Sequence, residues 1–343
     1  MTERRSKIIG LGMAVPENGV VTNQDLTRWM DTSPEWIKQR SGISTRYWAD
    51  KDTTTSVSLL ALPAVVEALE DADLDKSELD LIIFATLSPD ASFPGSACFL
   101  QGHMDLGGIA VLDIRQQCTG FLYGLSIADL YIRAGIYKKV LLVGAEMQSK
   151  CLDVSTRGRD MTVLFGDGAG AVILGQVEVE DDSPDSPEAF VRSCHLHADG
   201  KYAKELLWES PGTANRIWNP PELVEETEVY PQMNGRMVFA HAVRRMPEVT
   251  IEALEENGLQ ADQIDLFVHH QANLRINEKF AESLNVPAER VFSTIEKYGN
   301  TTAATIPIGL YEARKAGLLK PGTLVASAAF GSGFTWASAI YRW

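Results

Sequence analysis

The sequence predicts an α/β protein built from two similar halves. Short apolar runs typical of buried strands, such as residues 139–146, alternate with segments whose apolar residues recur at helical spacing. A pattern of helix, Leu-bearing turn, acidic stretch and strand at residues 68–83 is repeated at residues 253–268. A helix and strand at residues 130–145 are likewise repeated at residues 310–328. A duplicated unit of alternating strands and helices favours sheets covered by helices on both faces.

Composition and charge narrow the class of protein. The chain has 343 residues, of which 45% are hydrophobic and 22% are charged, as in ordinary globular proteins. This length suits two domains, and an acidic, proline-containing stretch divides it. We predict an N-terminal half at residues 1–177, a connector at 178–190 and a C-terminal half at 191–343. The net charge of −15 argues against a nucleic-acid-binding protein, which would carry a basic surface.

No segment resembles a signal peptide or a membrane span. No apolar run of sufficient length precedes Pro16, and no later stretch reaches the ~20 apolar residues that a membrane span requires. The four cysteines lack paired spacing, which indicates free thiols in a reducing compartment. We therefore expect a cytoplasmic protein.

The first part of the chain predicts a strand followed by two capped helices. The strand runs into a Gly-x-Gly turn, but no third glycine or helix follows, so we reject a dinucleotide-binding loop. Asn23 is predicted to cap one helix, and Ser33 to cap another that begins at Pro34. Trp36 and Arg40 then lie one helical turn apart. They could sandwich a nucleobase, although a packed Trp beneath an Arg stem is the simpler interpretation.

Later segments predict elements of the same kinds. Residues 56–69 predict a helix, and residues 162–174 predict two strands around a Gly-rich turn. That turn lacks the Lys and the following helix of a phosphate-binding loop. The strand-like stretch containing His195 and His197 has no second ligand pair at suitable spacing, so we predict no metal site. Residues 208–231, rich in Pro, Asn and Glu, indicate a long surface segment or lid.

Cys118 lies where a short strand meets a helix. The apolar strand ends at Ile114, apolar residues at helical spacing begin at Phe121, and small residues lie beside the cysteine. A thiol at a helix N-terminus faces free N–H groups and the positive end of the helix dipole, which favour the nucleophilic thiolate. A small buried core residue is the alternative interpretation.

The repeat predicts that two further polar residues lie close to Cys118. The helix after Cys118 corresponds to the helix after Asn300, and the strand ending at Thr86 corresponds to the one ending near His270. Ligand sites in open α/β sheets lie beyond the carboxyl ends of the strands. We therefore expect Cys118, His270 and Asn300 to converge in one site. Taken singly each is weak evidence, because an isolated His is commonly structural and an Asn before Thr-Thr commonly caps a helix.

Motifs along the whole chain resemble those of β-ketoacyl-acyl-carrier-protein synthase III, a condensing enzyme of the thiolase superfamily. The resemblance runs from Lys7 to Trp343 in order and at family spacing. It rests mainly on Gln117-Cys118-Thr119-Gly120-Phe121, His270-Gln271-Ala272-Asn273-Leu274-Arg275, Gly299-Asn300-Thr301-Thr302-Ala303-Ala304 and Phe330-Gly331-Ser332-Gly333-Phe334-Thr335-Trp336. The resemblance implies a thiolase-like, five-layered α-β-α-β-α fold with two pseudo-symmetric halves.

The same resemblance implies a decarboxylating Claisen condensation that initiates fatty-acid or polyketide synthesis. Cys118 would take the acyl group of an acyl-CoA primer, and the backbone N–H groups of Cys118 and Ser332 would form the oxyanion hole. The family usually has Gly at position 332. His270 and Asn300 would then donate hydrogen bonds to the thioester oxygen of malonyl-acyl-carrier protein and stabilise its enolate. His269 is expected to be structural.

The resemblance also assigns residues that bind the acyl donor. Trp36 and Arg159, with Arg40 nearby, would hold the adenine of CoA. Ala272 and Asn273 would lie along the path of the pantetheine arm. Acyl-CoA is then a substrate, and no cofactor is expected.

Two protein partners are implied by the family. Phe93 would border the acyl pocket across the interface of a homodimer. Arg275, Arg244 and Arg245, with Arg236 as a further candidate, would dock the acidic carrier protein. The net negative charge of the whole chain opposes the docking of an acidic partner, so this docking depends on these arginines.

Three other functions compete with condensation. An acyltransferase on the same scaffold would pass the Cys-bound acyl group to a hydroxyl or amine, but enzymes of that type tend to lose the Asn, and Asn300 is present. A papain-like hydrolase would need a signature that is absent around Cys118. A non-catalytic scaffold subunit would usually have replaced the nucleophile.

Overall fold

The computed structural model describes residues 2–50, 55–209 and 230–343. The strands of these segments are β1 (Glu3–Ala14), β2 (Val20–Thr22), β3 (Thr45–Tyr47), β4 (Leu81–Ala85), β5 (Ala110–Ile114), β6 (Lys139–Glu146), β7 (Gly168–Val179), β8 (Val191–Ala198), β9 (Leu206–Leu207), β10 (Gln232–Met233), β11 (Leu266–Val268), β12 (Val291–Phe292), β13 (Leu324–Gly331) and β14 (Thr335–Arg342). The helices are α1 (Asn23–Leu26), α2 (Pro34–Ser41), α3 (Val57–Asp71), α4 (Ser96–His103), α5 (Gly120–Arg133), α6 (Arg159–Thr162), α7 (Gly235–Glu256), α8 (Leu274–Leu284), α9 (Ile295–Tyr298) and α10 (Thr305–Lys315).

Two five-stranded sheets with the same topology form the frame. The first has the order β1-β7-β6-β4-β5 and the second the order β8-β14-β13-β11-β12. In each sheet three neighbouring strands are parallel and the other two join them antiparallel. The register also repeats, because Leu81 pairs with Val140 in the first sheet as Leu266 pairs with Val325 in the second. The predicted duplication is therefore confirmed.

Helices cover both faces of both sheets, which gives five layers. Helices α3 and α4 pack on the outer face of the first sheet, and α7 and α8 pack on the outer face of the second. Between the sheets, α5 and α10 bury apolar side chains against both. Each fully buried Leu, Ile or Phe there contributes about 1.5–3 kcal/mol to folding. The predicted α-β-α-β-α architecture is confirmed.

The caps of the first two helices differ in how well the sequence predicted them. Ser33 accepts the backbone N–H of Trp36 at 3.1 Å, so the cap predicted for the second helix is confirmed. The cap predicted at Asn23 is wrong. Thr22 caps α1 instead, because its hydroxyl accepts the N–H of Asp25 while the Asp25 carboxylate accepts the N–H of Thr22. Asn23 is buried, and its amide donates to the carbonyl of Ile43 at 2.7 Å.

The two strands predicted at residues 162–174 are a second error. Residues Arg159–Thr162 form a helix, and the only strand in this stretch starts at Gly168. The segment between them pairs with the turn that carries Asn300 instead of forming a hairpin. The N–H of Asn300 donates to the carbonyl of Leu164 at 2.8 Å, and the N–H of Gly166 donates to the carbonyl of Asn300 at 3.0 Å. A Cβ at position 166 would lie 2.4 Å from the carbonyl oxygen of Tyr298, so this close approach needs glycine.

Several predictions concern how the chain is divided and where it resides. The first sheet takes its strands from residues 3–179 and the second from residues 191–342, while the domain boundaries themselves stay a prediction. Most of the predicted lid, residues 210–229, lies outside the described residues. Within the described part of the chain, no helix is both long and apolar enough to span a membrane. All four cysteines are free thiols.

Candidate functional site

Cys118 occupies a tight turn between β5 and α5. Residues Gln117–Thr119 form a single 3-10 turn, and Gln117 has the left-handed φ of 46°. The hydroxyl and the N–H of Thr119 both donate to the carbonyl of Gln116, at 2.8 and 3.1 Å. This turn points the cysteine back toward the other half, where a Cβ on Gly331 would lie only 3.0 Å from the Cβ of Cys118. The predicted strand-to-helix junction is confirmed.

The environment of the Cys118 thiol is less favourable to the thiolate than the sequence suggested. The side chain is 8% exposed, and burial raises the pKa of the thiol to about 12, with a smaller contribution from Glu146. Burial also raises the pKa of Glu146 to about 8, so its carboxyl is mostly protonated at neutral pH and its repulsion is weak. Desolvation therefore outweighs the helix dipole, and the thiol needs a proton acceptor to react.

His270 follows β11 and points one ring nitrogen into a cavity. The backbone N–H of His270 donates to the carbonyl of Ala328 at 2.9 Å, and the ring Nδ1 lies 2.8 Å from Oγ1 of Thr305. Its Nε2 is buried and has no hydrogen-bond partner among the described residues. Burial lowers the pKa of His270 to about 3, so the ring is neutral at physiological pH in the resting enzyme. Nε2 of His269 is buried without a partner among the described residues as well, but the side chain of His270 lines a cavity, where such a nitrogen is available to a ligand.

The neighbouring His269 has a different environment. It is fully buried, its Nδ1 accepts the N–H of Ala328 at 3.1 Å, and its ring packs edge-on against Phe280 with centroids 3.8 Å apart. The two histidines therefore leave the strand end in opposite directions. These contacts are those of a structural residue, as the sequence analysis expected.

Asn300 is held rigidly with its amide oxygen engaged. Its Oδ1 accepts the backbone N–H of Thr302 at 2.8 Å, and its own backbone bonds to both sides of the 164–166 segment. The side chain is 5% exposed. Because Oδ1 is used, Nδ2 is the atom that remains to donate to a ligand.

Two cavities meet at Cys118. The long cavity, about 980 Å³, is lined by Cys118, His270 and Asn300 and extends to Trp36 and Arg40. The side cavity, about 580 Å³, extends from Cys118 in the other direction. Its lining is mostly apolar and includes Leu87, Met147, Cys151, Phe165, Leu206 and Leu207. The structure therefore brings the three predicted catalytic residues to one cavity, and a second cavity also reaches the nucleophile.

Ser332 also borders this junction. Gly331 lines the long cavity and Ser332 the side cavity, so their peptide lies at the point where the cavities meet. The Ser332 hydroxyl donates to the carbonyl of Leu206 at 2.5 Å, which turns the side chain away from Cys118. A serine is thus accommodated at this position with its backbone next to the nucleophile.

Trp36 lies at the far end of the long cavity between two cationic side chains. The guanidinium carbon of Arg40 is 4.5 Å from the indole centroid, and that of Arg159 is 4.6 Å away. Arg159 also donates to the carbonyl of Asp31 at 2.6 Å. The predicted cluster is therefore present.

Ala272 and Asn273 line the wall between Trp36 and His270. The Asn273 amide donates to the carbonyl of Arg40 at 2.9 Å, and its Oδ1 accepts the N–H of Arg275 at 3.0 Å. Asn273 is thus the N-cap of α8 and at the same time ties that helix to α2.

The predicted docking arginines occupy two different places. Arg275 and Arg236 both line the long cavity. The guanidinium of Arg275 lies 5.5 Å from the centroid of the Phe239 ring. Arg244 and Arg245 both pair with Glu248, at 2.7 and 2.8 Å, and neither lines the cavity. Arg275 and Arg236 are therefore better placed than the other two to meet a partner at the cavity mouth.

Phe93 does not reach the side cavity of its own chain. Its side chain is 85% exposed, although the preceding Ala91 and Ser92 line that cavity. A ring this exposed has no packing role within the described part of one subunit.

Glu146 is a residue that the sequence analysis missed. It is fully buried at the end of β6, where its carboxyl group accepts the N–H of Leu87 at 3.1 Å and the hydroxyl of Ser88 at 2.7 Å. The backbone N–H of Ala303 lies close enough to it to lower its pKa against the larger effect of burial. It therefore ties a wall of the side cavity to the turn beside Asn300. A glutamate at the end of an apolar strand was the signal that could have found it.

Two family profiles match the chain. The profile described as 3-oxoacyl-[acyl-carrier-protein (ACP)] synthase III matches residues 112–200, and the profile of its C terminal matches residues 254–343. Among curated relatives, β-ketoacyl-[acyl-carrier-protein] synthase III of Roseiflexus sp. is 43% identical over 97% of each chain. The enzyme of that name from Aquifex aeolicus is 41% identical over 98% of this chain and 99% of the relative.

Solved structures agree with these sequence matches. The crystal structure of 3-oxoacyl-[acyl-carrier-protein] synthase III from Aquifex aeolicus has a TM-score of 0.87, covering 98% of this chain and 100% of that one at 41% identity. The priming β-ketosynthase from the R1128 polyketide biosynthetic pathway also has a TM-score of 0.87, at 29% identity over 100% of this chain and 98% of that one.

Proposed function

Because the chain belongs to the β-ketoacyl-[acyl-carrier-protein] synthase III family, we propose that it catalyses the decarboxylating condensation of an acyl-CoA primer with malonyl-acyl-carrier protein. The product is a β-ketoacyl thioester that initiates fatty-acid or polyketide synthesis. One observation carries the proposal: Cys118 lies between an apolar cavity and a long cavity that also contains His270 and Asn300. This arrangement suits a nucleophile that holds an acyl group on one side and receives a second substrate from the other.

In the first half-reaction Cys118 attacks the acyl-CoA thioester and retains the acyl group. The apolar side cavity receives the acyl chain, and the CoA thiol leaves through the long cavity. The backbone N–H groups of Cys118 and Ser332 form the oxyanion hole. The close approach of Gly331 to Cys118 supports this role, because it holds the Ser332 peptide beside the reacting carbon.

In the second half-reaction malonyl-acyl-carrier protein enters the emptied long cavity. His270 and Asn300 donate hydrogen bonds to its thioester oxygen and stabilise the enolate left when carbon dioxide departs. The engaged Oδ1 of Asn300 supports this, since it leaves Nδ2 as the donor. The enolate carbon then attacks the acyl-Cys118 carbonyl and releases the product.

The long cavity receives the CoA and pantetheine portions of the two substrates. Trp36, Arg40 and Arg159 bind the adenine end, and Ala272 and Asn273 lie along the pantetheine arm. Acyl-CoA enters as a substrate, and the proposed chemistry needs no cofactor. Arg275 at the cavity mouth, with Arg236, is the favoured contact for the acidic carrier protein. Arg244 and Arg245 are weaker candidates because both pair with Glu248 and neither lines the cavity.

A homodimer completes the side cavity. Among the described strands, β5 at the edge of the first sheet pairs only with β4, and its apolar residues Val111, Leu112 and Ile114 are half-buried. The exposed ring of Phe93 lies on the loop that lines the side cavity. An unpaired sheet edge beside an exposed phenylalanine supports a second copy of the chain at this face, with Phe93 reaching the partner's acyl pocket.

Intact-protein mass spectrometry tests this function directly. The native chain and Cys118→Ala are incubated with acyl-CoAs from acetyl to long and branched chains. We expect an acyl adduct on the native chain alone, and its loss when malonyl-acyl-carrier protein is added, with release of the β-ketoacyl product. Native spectra of the same samples report the dimer. An adduct that instead passes to a hydroxyl or amine acceptor would favour the acyltransferase function, and no adduct from any acyl-CoA would contradict priming by CoA thioesters.

A further inference from the structure

The proposed chemistry requires Nε2 of His270 to act both as a proton acceptor and as a hydrogen-bond donor. The buried thiol of Cys118 must lose its proton to an acceptor before it attacks. His270 must later donate a hydrogen bond from Nε2 to the enolate oxygen. A neutral imidazole carries a single N–H, so Nε2 either accepts or donates, and the other nitrogen decides which.

The contacts of Nδ1 identify the tautomer of the empty enzyme. Nδ1 lies 2.8 Å from Oγ1 of Thr305, whose hydroxyl donates to the carbonyl of Thr302 at 2.9 Å. Because that hydroxyl has one proton and gives it to a carbonyl, it offers Nδ1 only a lone pair. The backbone carbonyl of Thr302 also lies close enough to the ring to raise the pKa of His270 against the opposing effect of burial. An oxygen at hydrogen-bond distance that offers only a lone pair means that Nδ1 carries the proton.

The other nitrogen is then bare. Nε2 is buried, lacks a partner among the described residues, and belongs to a side chain that lines the same cavity as Cys118. The preceding residue, His269, has the opposite tautomer. Its Nδ1 accepts the N–H of Ala328, and its proton is therefore on Nε2. The chain thus fixes different tautomers in two adjacent histidines.

We infer that Thr305 is a positioning residue that makes Nε2 of His270 the proton acceptor for Cys118, and that His270 keeps this proton to donate it in the condensation step. This inference rests on the proposed function and assigns a role that the enolate-stabilising pair alone does not include. Thr305 touches no substrate and acts only through the ring of His270.

The proton and electron pairs balance over the two half-reactions. In acylation the S–H bond of Cys118 breaks, its proton moves to Nε2, and the sulfur electron pair forms the new C–S bond. The CoA thiolate leaves with its electron pair and takes a proton from water. In condensation the bond to the malonyl carboxylate breaks, carbon dioxide leaves, and the electron pair becomes the enolate, whose oxygen accepts the Nε2–H bond. The enolate carbon bonds to the acyl carbon, and the expelled Cys118 thiolate takes its proton back from Nε2.

The tautomer is measured on the resting enzyme without any substrate. The full chain is labelled with ¹⁵N-histidine, and the signals of His270 among the six histidines are identified by their loss in His270→Asn. We expect a protonated Nδ1 and a bare Nε2 in the native chain and in Thr305→Ser, which retains the hydroxyl. A proton on Nε2 in the resting native enzyme would overturn the inference.

A kinetic measurement separates positioning from folding. Thr305→Val keeps the shape of the side chain and removes the hydroxyl, and Thr250→Val does the same to a buried hydroxyl in α7 that donates to the carbonyl of Met246. Single-turnover acylation should slow by roughly 10- to 100-fold in Thr305→Val, with its pH profile displaced to higher pH, and should change little in Thr305→Ser and Thr250→Val. Acylation of Thr305→Val at the native rate and pH profile would overturn the role. Failure of the native chain to load any acyl-CoA would instead contradict the proposed function, while the resting tautomer would still report on Thr305.

Discussion

The turn that carries Cys118 has a close structural copy in the other half of the molecule. Residues Gln117–Thr119 and Thr302–Ala304 each form a 3-10 turn that leads into a long helix, α5 or α10. The residue that opens each turn, Gln117 or Thr302, has a left-handed φ, of 46° and 51°. We call these the Cys118 turn and the Ala303 turn, after the residues at their matching central positions.

The two turns share a backbone and differ in the chemistry of their side chains. Counting along the matched strands and turns, His270 and Thr305 of the second half correspond to Ala85 and Gly120 of the first. In the first half, a Cβ on Gly120 would lie 3.1 Å from the Cβ of Ala85, so small residues pack there. In the second half the same pair of positions carries a hydrogen-bonded histidine and threonine 2.8 Å apart.

This difference shows how a duplicated fold divides a two-step reaction. The first half supplies the nucleophile and keeps its surroundings small, which leaves space for an acyl group. The second half replaces the nucleophile with alanine and supplies the polar groups that handle the proton and the enolate. Each half alone would lack what the other provides, which is why the site lies where the two meet.

The largest effect expected from this division comes from Asn300→Asp. An aspartate keeps the oxygen that accepts the N–H of Thr302, and therefore preserves the Ala303 turn, but it loses the Nδ2 donor. We expect condensation to slow by about 10²- to 10³-fold, while loading of Cys118 from acyl-CoA stays within a few-fold of the native rate. Rapid-quench measurement of the two half-reactions on one preparation checks this. Equal losses in both would show that the halves do not divide the steps.

The convergence of Cys118, His270 and Asn300 could be predicted because it depends on strand order. Polar residues after equivalent strands of a duplicated unit must end at the same edge, whatever their local contacts. The Gly-rich segment at 162–174 was mispredicted for the opposite reason. Its backbone forms hydrogen bonds with Asn300, which is distant in sequence. Local propensity depends on neighbouring residues and cannot predict such a contact.

The electrostatics of the site could not be predicted for a related reason. A helix N-terminus favours a thiolate, but the 8% exposure of Cys118 reverses the shift, and burial is a property of the assembled fold. The pairing of Arg244 and Arg245 with Glu248 and the stacking of two guanidiniums on Trp36 likewise depend on packing between elements.

A second pair of changes compares how tightly each turn is packed. A Cβ at Gly144 would lie 2.4 Å from the carbonyl oxygen of Ala303, whereas a Cβ at Gly331 would lie 3.0 Å from the Cβ of Cys118. We expect Gly144→Ala to lower the free energy of unfolding by about 1–3 kcal/mol, and Gly331→Ala to lower it less. Gly331→Ala should instead slow acylation by roughly tenfold or more, because it displaces the nucleophile and the Ser332 peptide.

Urea unfolding and single-turnover acylation of both variants test this comparison. Gly102→Ala is the matched control, because no atom lies within 4 Å of a Cβ at that position. If Gly331→Ala were the less stable variant and acylated normally, the two turns would have to be packed differently from the structure described.

The last expected effect concerns pH and the carboxyl that supports the Ala303 turn. Burial raises the pKa of Glu146 to about 8, above its ordinary value of 4.5. As pH rises from about 4.5 to 8, the unfolded chain releases this proton while the folded chain retains it, so the free energy of unfolding falls through this window and levels off above it. Glu146→Gln cannot ionise, and its free energy of unfolding should fall less over the same range. Urea titrations at pH 5, 6.5 and 8 measure this difference, with the exposed Glu255→Gln as control.

The same pH dependence in Glu146→Gln as in the native chain would contradict this expectation. It would mean that the Glu146 carboxyl is ionised in the folded enzyme and that hydrogen bonds from Leu87, Ser88 and Ala303 outweigh its burial.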